Sequence, residues 1–533
     1  MVAYQRDQIT LFMIRKFPRL LQDLLAASAL KYPRKIALVC GAHRLSYGEI
    51  EAQSNSLAHW LVNAGVCRGD RVIIFAENSV ESVIAFWATL RVSALVCLIH
   101  PDTPAEKLAH YLHDTRATTV IADSDLLAKH AAIFLQAGFL LNIVVCGFLP
   151  TDADHRLPAL THFSQTMAPD CHAGPPTQHN IDIDLAAIIY TSGSTGAPKG
   201  VMLTHRNMLT AAASIMEYLK LDDHDVILNA MPLSFDYGLY QMIMAFAAGG
   251  RLVLERSFAL LPQVLARASR EAVTGLPAVP TVFALLSQFE ALDRYDLSAI
   301  RFLTASGAHL APPQISWLQR RFPGAEIYSM YGLTECKRCT YLPPEAINRK
   351  LGSVGIAIPN TEVWVVDEND QRLKPHRTGE VVVRGATVMR GYWDAPEATA
   401  ARLRPGPLPG EVVLYTGDLG RFDDDGYLYL VARTDSVFKN RGKKVAPNEV
   451  EAAMMKIAGV LEAVVTGVPD EVLGHAVHAF VVLDGSSELD EKQLRRACVP
   501  LLEAHQIPSK ITLLSALPRN RNGKVDRLAL ARQ

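Results

Sequence analysis

The 533 residues exceed the size at which a single hydrophobic core keeps growing, so the chain divides into at least two folded units. With 49% hydrophobic and 20% charged residues it has the composition of a globular protein with a large interior. A formal net charge of −1 excludes an overall electrostatic pull towards nucleic acid or an anionic membrane surface.

The opening stretch MVAYQRDQITLFMIRKFPR has charges interrupting every apolar run and predicts no secretory signal. Beyond it, LLQDLLAASALKYP and VESVIAFWATLRVSA have helical periodicity, whereas RVIIFAE and TTVIADS are short β-rich runs. That alternation predicts βαβ units and a largely parallel sheet. The most membrane-like run, 131–150, is broken by Gln136, Asn142 and two glycines; its LNIVVCG portion predicts a buried strand ending in a turn. Residues 151–181, rich in Pro, His, Asp and Thr, predict an exposed connection. Eight cysteines scattered from Cys40 to Cys498 read as reduced thiols of a cytoplasmic protein. Only Cys336 and Cys339 lie close together, and no second pair completes a zinc pattern around them.

Next, LAAIIYTSGST carries a strand into the segment YTSGSTGAPKGVMLTH, Tyr190–His205. A strand, a turn rich in Gly, Ser and Thr, then a helix is a recipe for holding phosphate, because glycines let backbone N–H groups approach the oxygens and hydroxyls add donors. It is not a Walker A loop, since Lys199 is followed by Gly200, and no G-x-S-x-G nucleophile elbow is present. Met208, Ala212, Ile215 and Leu219 then recur at helical spacing, with Thr204 placed to cap. From about residue 352 the chain turns to short strands (EVWVVDENDQ, GEVVVRG, DDDGYLYLVAR), with DDDG read as a hairpin turn rather than a calcium loop. The last hundred or so residues predict a separate small α/β unit, joined through the polar, basic stretch ARTDSVFKNRGKK.

Tyr190–His205 resembles the signature loop of the adenylate-forming superfamily of acyl-CoA and aryl-CoA ligases, peptide-synthetase adenylation domains and luciferases. YGLTE (331–335), YTGDLG (415–420), ARTDSVFKNRGKKVAPNEVE (432–451) and NRNGKVDR (520–527) follow in the family's order. The resemblance implies an α/β fold: a large N-terminal domain, 1–434, of parallel and mixed sheets sandwiching helices plus a distorted β-barrel, and a small mobile α+β domain, 435–533. It implies that carboxylate and ATP give acyl-adenylate and pyrophosphate, and that the acyl group then passes to a thiol. On that pattern Thr191, Ser192, Gly193, Ser194, Thr195, Gly196 and Lys199 wrap the ATP phosphates. Tyr331 lies against adenine, Thr334 bonds the α-phosphate and Glu335 holds Mg²⁺. Asp418 and Arg433 reach the ribose. Lys524 bridges substrate carboxylate and α-phosphate, Asp435 is the hinge, and Gly442 lies on the face that forms the thiol tunnel. Retention of Lys524 and Glu335 favours an enzyme over a non-catalytic adenylate binder.

By the same resemblance Asp236, Tyr237, Tyr240, Thr304, Ser306, Met330, Arg338 and Cys339 line the acid pocket. The tyrosines and Met330 imply a short one. Asp236 has two readings: partner to a substrate ammonium, or a helix N-cap. Arg338 either turns outward or meets a second substrate carboxylate. FDYGLYQ with YGLTECKR looks most like stand-alone ligases that load an amino or imino acid such as L-proline onto the phosphopantetheine thiol of a separate carrier protein. The alternative is an AMP-forming acyl-CoA ligase for a short or aryl acid, with coenzyme A as acceptor. No stable membrane insertion is expected.

Overall fold

The computed structural model describes residues 18–149, 157–158, 160–167, 174–192, 198–308, 310–434, 436–441, 443–470, 473–484, 487, 489–519 and 525–530. Gly193, Ser194, Thr195, Gly196, Asp435, Gly442 and Lys524 lie outside the described residues, as does the side chain of Ser192.

Four sheets form among the described residues. The first has nine strands; its centre is parallel and runs from Ile36–Cys40 through Arg251–Leu254, Val226–Asn229, Gly275–Ala278 and Phe302–Ala305 to Glu326–Tyr331. The second has eight strands, parallel from Leu95–Leu98 to Leu160–His162, with Leu185–Ser192, Pro198–Thr204 and Gly391–Tyr392 closing one side. Residues of both sheets and of the helices between them share one core, in which Leu38, Leu252, Ile74 and Ala187 are buried with Trp87 and Phe246. The expected sandwich of helices by mixed sheets is therefore present. A third, five-stranded antiparallel sheet spans the region from Thr361 to Arg433, and DDDG does turn between its strands Val412–Phe422 and Leu428–Arg433. Residues from Phe438 onward build the fourth sheet over their own apolar clusters.

Local predictions fare well where one element decides them. Asn142–Cys146 is a strand, and Gly147 leaves it with φ +94°. Among the described residues no helix is long and apolar enough to cross a membrane. Helix His205–Leu219 begins at Thr204, whose side chain accepts from Asn207 N–H while Asn207 accepts from Thr204 N–H. The segment expected to hold phosphate differs in one respect: Pro198–Thr204 is a strand antiparallel to Leu185–Ser192, so the segment joins two strands and the helix starts only at His205. Alternation decides this, because Val201 and Leu203 both turn into the core. His205 itself is buried, accepting from Leu21 N–H at 3.1 Å and meeting Asn180 at 3.1 Å; burial pushes its pKa down to about 4.

Helix Asp236–Ala248 crosses the interior, with every residue from Tyr237 to Phe246 buried. Its first turn lies so close to the preceding loop that a Cβ on Gly238 would stand 2.4 Å from the Pro232 carbonyl oxygen. It ends on Gly249 in the left-handed conformation, φ +76°.

Candidate active site

Four segments far apart in sequence converge on the YGLTECKR turn. The turn leaves strand Glu326–Tyr331 and closes on itself: Cys339 N–H donates to the Tyr331 carbonyl at 2.9 Å and Cys336 N–H to that of Leu333 at 3.0 Å. Gly332 makes room for this, since a Cβ there would meet the Lys337 carbonyl oxygen at 2.3 Å. Lys337 adopts φ +60°, and that kink carries both Lys337 and Arg338 into the interior.

On the outer side of the turn Thr334 and Glu335 are partly exposed. Tyr392 donates to Glu335 Oε1 at 2.7 Å, and the Lys199 ammonium stands 5.4 Å from the centre of the Tyr392 ring. The strand pairing Tyr392↔Val201 holds that ring beside the strand bearing Lys199. Gly200 permits close approach, for a Cβ there would lie 3.3 Å from the Trp393 Cβ. Burial, then the neighbouring Glu335 carboxylate, raises the Tyr392 pKa, so the phenol stays a donor.

At the start of the turn Tyr331 donates to Asp418 Oδ2 at 2.5 Å, while Arg433 Nη1 stands 3.4 Å from Asp418 Oδ1. Asp418 and Arg433 face each other across the pairing of their strands. Burial raises the Asp418 pKa, and Arg433 and the Tyr331 hydrogen bond oppose that shift.

The inner side is a polar cluster around the first turn of helix Asp236–Ala248. The Tyr237 hydroxyl bonds Thr304 Oγ1 at 2.6 Å and donates to the Thr304 carbonyl at 2.9 Å; Tyr218 donates to Met330 Sδ at 3.0 Å. Arg338 donates to Ser306 Oγ and lies 5.3 Å from the Tyr237 ring centre. It is thus turned inward, and only 2% exposed. Asp236 is the first helical residue, not the cap: Phe235 holds the N-cap position and no side-chain cap bond forms. Instead Lys337 Nζ donates to the Asp236 carbonyl at 2.8 Å and stands 3.4 Å from its carboxylate, 4.4 Å above the Tyr240 ring centre. Burial pushes the Lys337 pKa down to about 7, with Asp236 acting against that and Arg338 reinforcing it. Cys339 is buried with its Sγ 3.1 Å from that of Cys336.

Of the pocket and nucleotide residues expected from sequence, Tyr331, Asp418 and Arg433 form one group. Lys199 and Glu335 form a second, joined by Tyr392. Tyr237, Tyr240, Thr304, Ser306, Met330 and Arg338 gather in a third, joined by Tyr218 and Lys337. Sequence reasoning missed Tyr392, Tyr218 and Lys337. A lysine in a polar turn reads as solvated, and RGYWD carries no motif of its own. A cavity of about 450 Å³ lies against the same helix end, lined by Phe235, Val279, Asn78, His100 and Arg256 among others. It sits where the strands of both large sheets end, the usual place for ligands in open α/β sheets.

Mixed sheets enclosing helices, with a smaller C-terminal unit, make up the adenylate-forming fold of AMP-forming acid–thiol ligases. The chain belongs to this AMP-binding enzyme family: the AMP-binding enzyme model matches residues 25–393, and the AMP-binding enzyme C-terminal domain model matches 449–524. It is 30% identical over 503 residues to 4-coumarate–CoA ligase 5 of Oryza sativa subsp. japonica, covering 92% of this chain and 90% of that one. It is also 30% identical over 521 residues to a linear gramicidin synthase of Brevibacillus parabrevis, covering 97% of this chain and 10% of that one. Among solved structures, ATP-bound MatB from Rhodopseudomonas palustris superposes with a TM-score of 0.85 at 28% identity, covering 96% of this chain and 98% of that one.

Proposed function

We propose that this enzyme converts a compact carboxylic acid and ATP into an acyl-adenylate and pyrophosphate, and then passes the acyl group to the thiol of coenzyme A. The observation that carries the first step is the convergence of Lys199 and Glu335 on Tyr392, which sets the loop cation beside the turn carboxylate. Two anions must meet in adenylation, so aligned cations and donors offset their repulsion. In this reading Thr191, Ser192, Gly193, Ser194, Thr195, Gly196 and Lys199 hold the phosphates, and Thr334 the α-phosphate. Tyr331, Asp418 and Arg433 hold adenosine. Lys524 brings the acid's carboxylate to the α-phosphate. Residues 1–434 and 435–533 act as two domains hinged at Asp435, whose rotation withdraws Lys524 and presents the Gly442 face to the thiol.

The residues fit Mg²⁺. Tyr392 occupies Glu335 Oε1, and the side chain is only partly buried, which suits a hard cation that keeps water and phosphate oxygens as its other ligands. Glu335 would hold it, and the ion would neutralise phosphate charge as pyrophosphate leaves.

Coenzyme A is favoured as acceptor by likeness to a CoA ligase over nearly the whole of both chains. A second reading, transfer of an amino acid such as L-proline to a carrier protein, draws support from the equal identity to the gramicidin synthase. Against it, Lys337 already sits on Asp236, the residue that a substrate ammonium needs. ATP–pyrophosphate exchange across short, aryl and amino acids, followed by acyl transfer to coenzyme A or to a phosphopantetheinylated carrier protein, separates the two. Exchange with acids lacking an amine, and product on coenzyme A, is expected; exchange with amino acids alone defeats the first reading.

A further inference from the structure

The chain buries three long cations among its described residues: Arg91, Lys337 and Arg338. Arg91, 1% exposed, meets Glu51 at 2.5 Å, and Lys337 meets Asp236 at 3.4 Å. Arg338 has no carboxylate within 4.0 Å among the described residues. Its guanidinium is held by Ser306 Oγ and the Tyr237 ring, with the Tyr218 hydroxyl close by, all neutral, and its Nε, like that of Arg91, has no hydrogen-bond partner. A buried charge left without a counter-ion is expensive, and removing it from water is repaid only by a close opposite charge. Arg91 is what a purely structural buried arginine looks like in this protein. Arg338 lacks the feature that makes Arg91 tolerable.

Resting on the reading of this cluster as part of the acid site, we infer that the substrate is a short dicarboxylic acid whose second carboxylate docks on Arg338. Guanidinium is the group best shaped for that task, offering N–H donors in a fixed fork. The surroundings select the same sign of charge. Lys337 and Arg338 both lie over the Tyr237 ring, at 5.6 and 5.3 Å, and among the described residues Asp236 is the one carboxylate paired to either. An ammonium arriving here meets the Arg338 guanidinium, whereas a carboxylate supplies the charge that Arg338 lacks. Length follows from the turn. Thr334 would attend the reacting end and Arg338 the other, and the few intervening residues span at most about 14 Å even if extended. The turn is folded back on itself, which favours a short acid over a long one.

The test measures both binding and exchange. Wild type and Arg338→Met are titrated with dicarboxylates of three to six carbons, monocarboxylates of matched length and amino acids, by calorimetry and by ATP–pyrophosphate exchange. Wild type is expected to use a dicarboxylate at least 100-fold better in kcat/KM than its monocarboxylate match. Arg338→Met should collapse that ratio mainly through KM, with Arg338→Lys recovering part of it. The variant's melting temperature should hold or rise, since a structural arginine would lower it on removal. Dicarboxylate binding without any exchange would uphold the inference and defeat the adenylation reading. Exchange with monocarboxylates or amino acids as good as with dicarboxylates would do the reverse. Failure of wild type to bind any dicarboxylate, or an unchanged ratio in Arg338→Met, overturns the inference.

Discussion

Tyr392 donates its phenolic hydrogen to Glu335 Oε1 at 2.7 Å, tying the strand paired with the one that bears Lys199 to the YGLTECKR turn. The bond fixes one carboxylate oxygen, and in the proposed reading the side chain's other edge takes the cation.

Tyr392→Phe keeps the ring under Lys199 and removes only the hydroxyl. Hydrogen bonds to charged groups contribute about 1.5–3 kcal/mol, so pyrophosphate exchange should fall roughly ten- to a hundredfold. The loss should shrink as Mg²⁺ is raised. A magnesium-independent loss would assign Tyr392 to packing rather than to orienting Glu335.

Asp236→Asn leaves Lys337 buried without its carboxylate. Breaking one side of a buried pair costs up to about 3–5 kcal/mol while the remaining charge persists, so equilibrium denaturation should register a loss below about pH 7 that shrinks above it as the Lys337 ammonium gives up its proton. Adding Lys337→Met to the same chain should restore much of the stability. If Asp236→Asn has native stability and instead abolishes amino-acid exchange, Asp236 serves a substrate amine and the charge argument at Arg338 weakens with it.

His205 ties the segment at Leu21 to the helix that it begins. Its native pKa of about 4 lies below the ordinary 6.5, with burial as the main cause. Between these values the unfolded chain binds a proton that the native fold refuses, so stability falls as pH drops from 6.5 towards 4. Above pH 6.5 this residue adds no pH dependence. The full loss is about 3 kcal/mol at about 1.4 kcal/mol per pH unit. His205→Gln should flatten the stability profile in that window; a profile parallel to wild type would contradict the assignment.

The elements that sequence made legible are those decided locally. Thr204 and the spacing of Met208, Ala212, Ile215 and Leu219 specify their helix, and the apolar run 142–146 its strand. Motif order likewise led to the right family and to the grouping of Tyr331, Asp418 and Arg433. Lys337 was illegible because its burial depends on its left-handed backbone and on Gly332 having no side chain, both consequences of how the turn closes. Asp236 does not cap its helix, and the Lys337 that meets its carboxylate comes from 101 positions away, a pairing that no local pattern reveals. Tyr392 is placed by strand pairing, which no single-strand pattern reveals.

Lys524→Ala tests the division of labour between the two half-reactions. Adenylate formation should be lost by several orders of magnitude, while thioester formation from supplied acyl-adenylate persists. Equal loss of both steps would remove Lys524 from its assigned place in the first step alone.

The most direct measurement follows ATP carrying labels in the α- and γ-phosphates during turnover with an exchange-active acid and coenzyme A. AMP and pyrophosphate should form in equal amounts, only when the acid is present, with acyl-thioester accumulating alongside. ADP and orthophosphate as the nucleotide products would contradict adenylate formation.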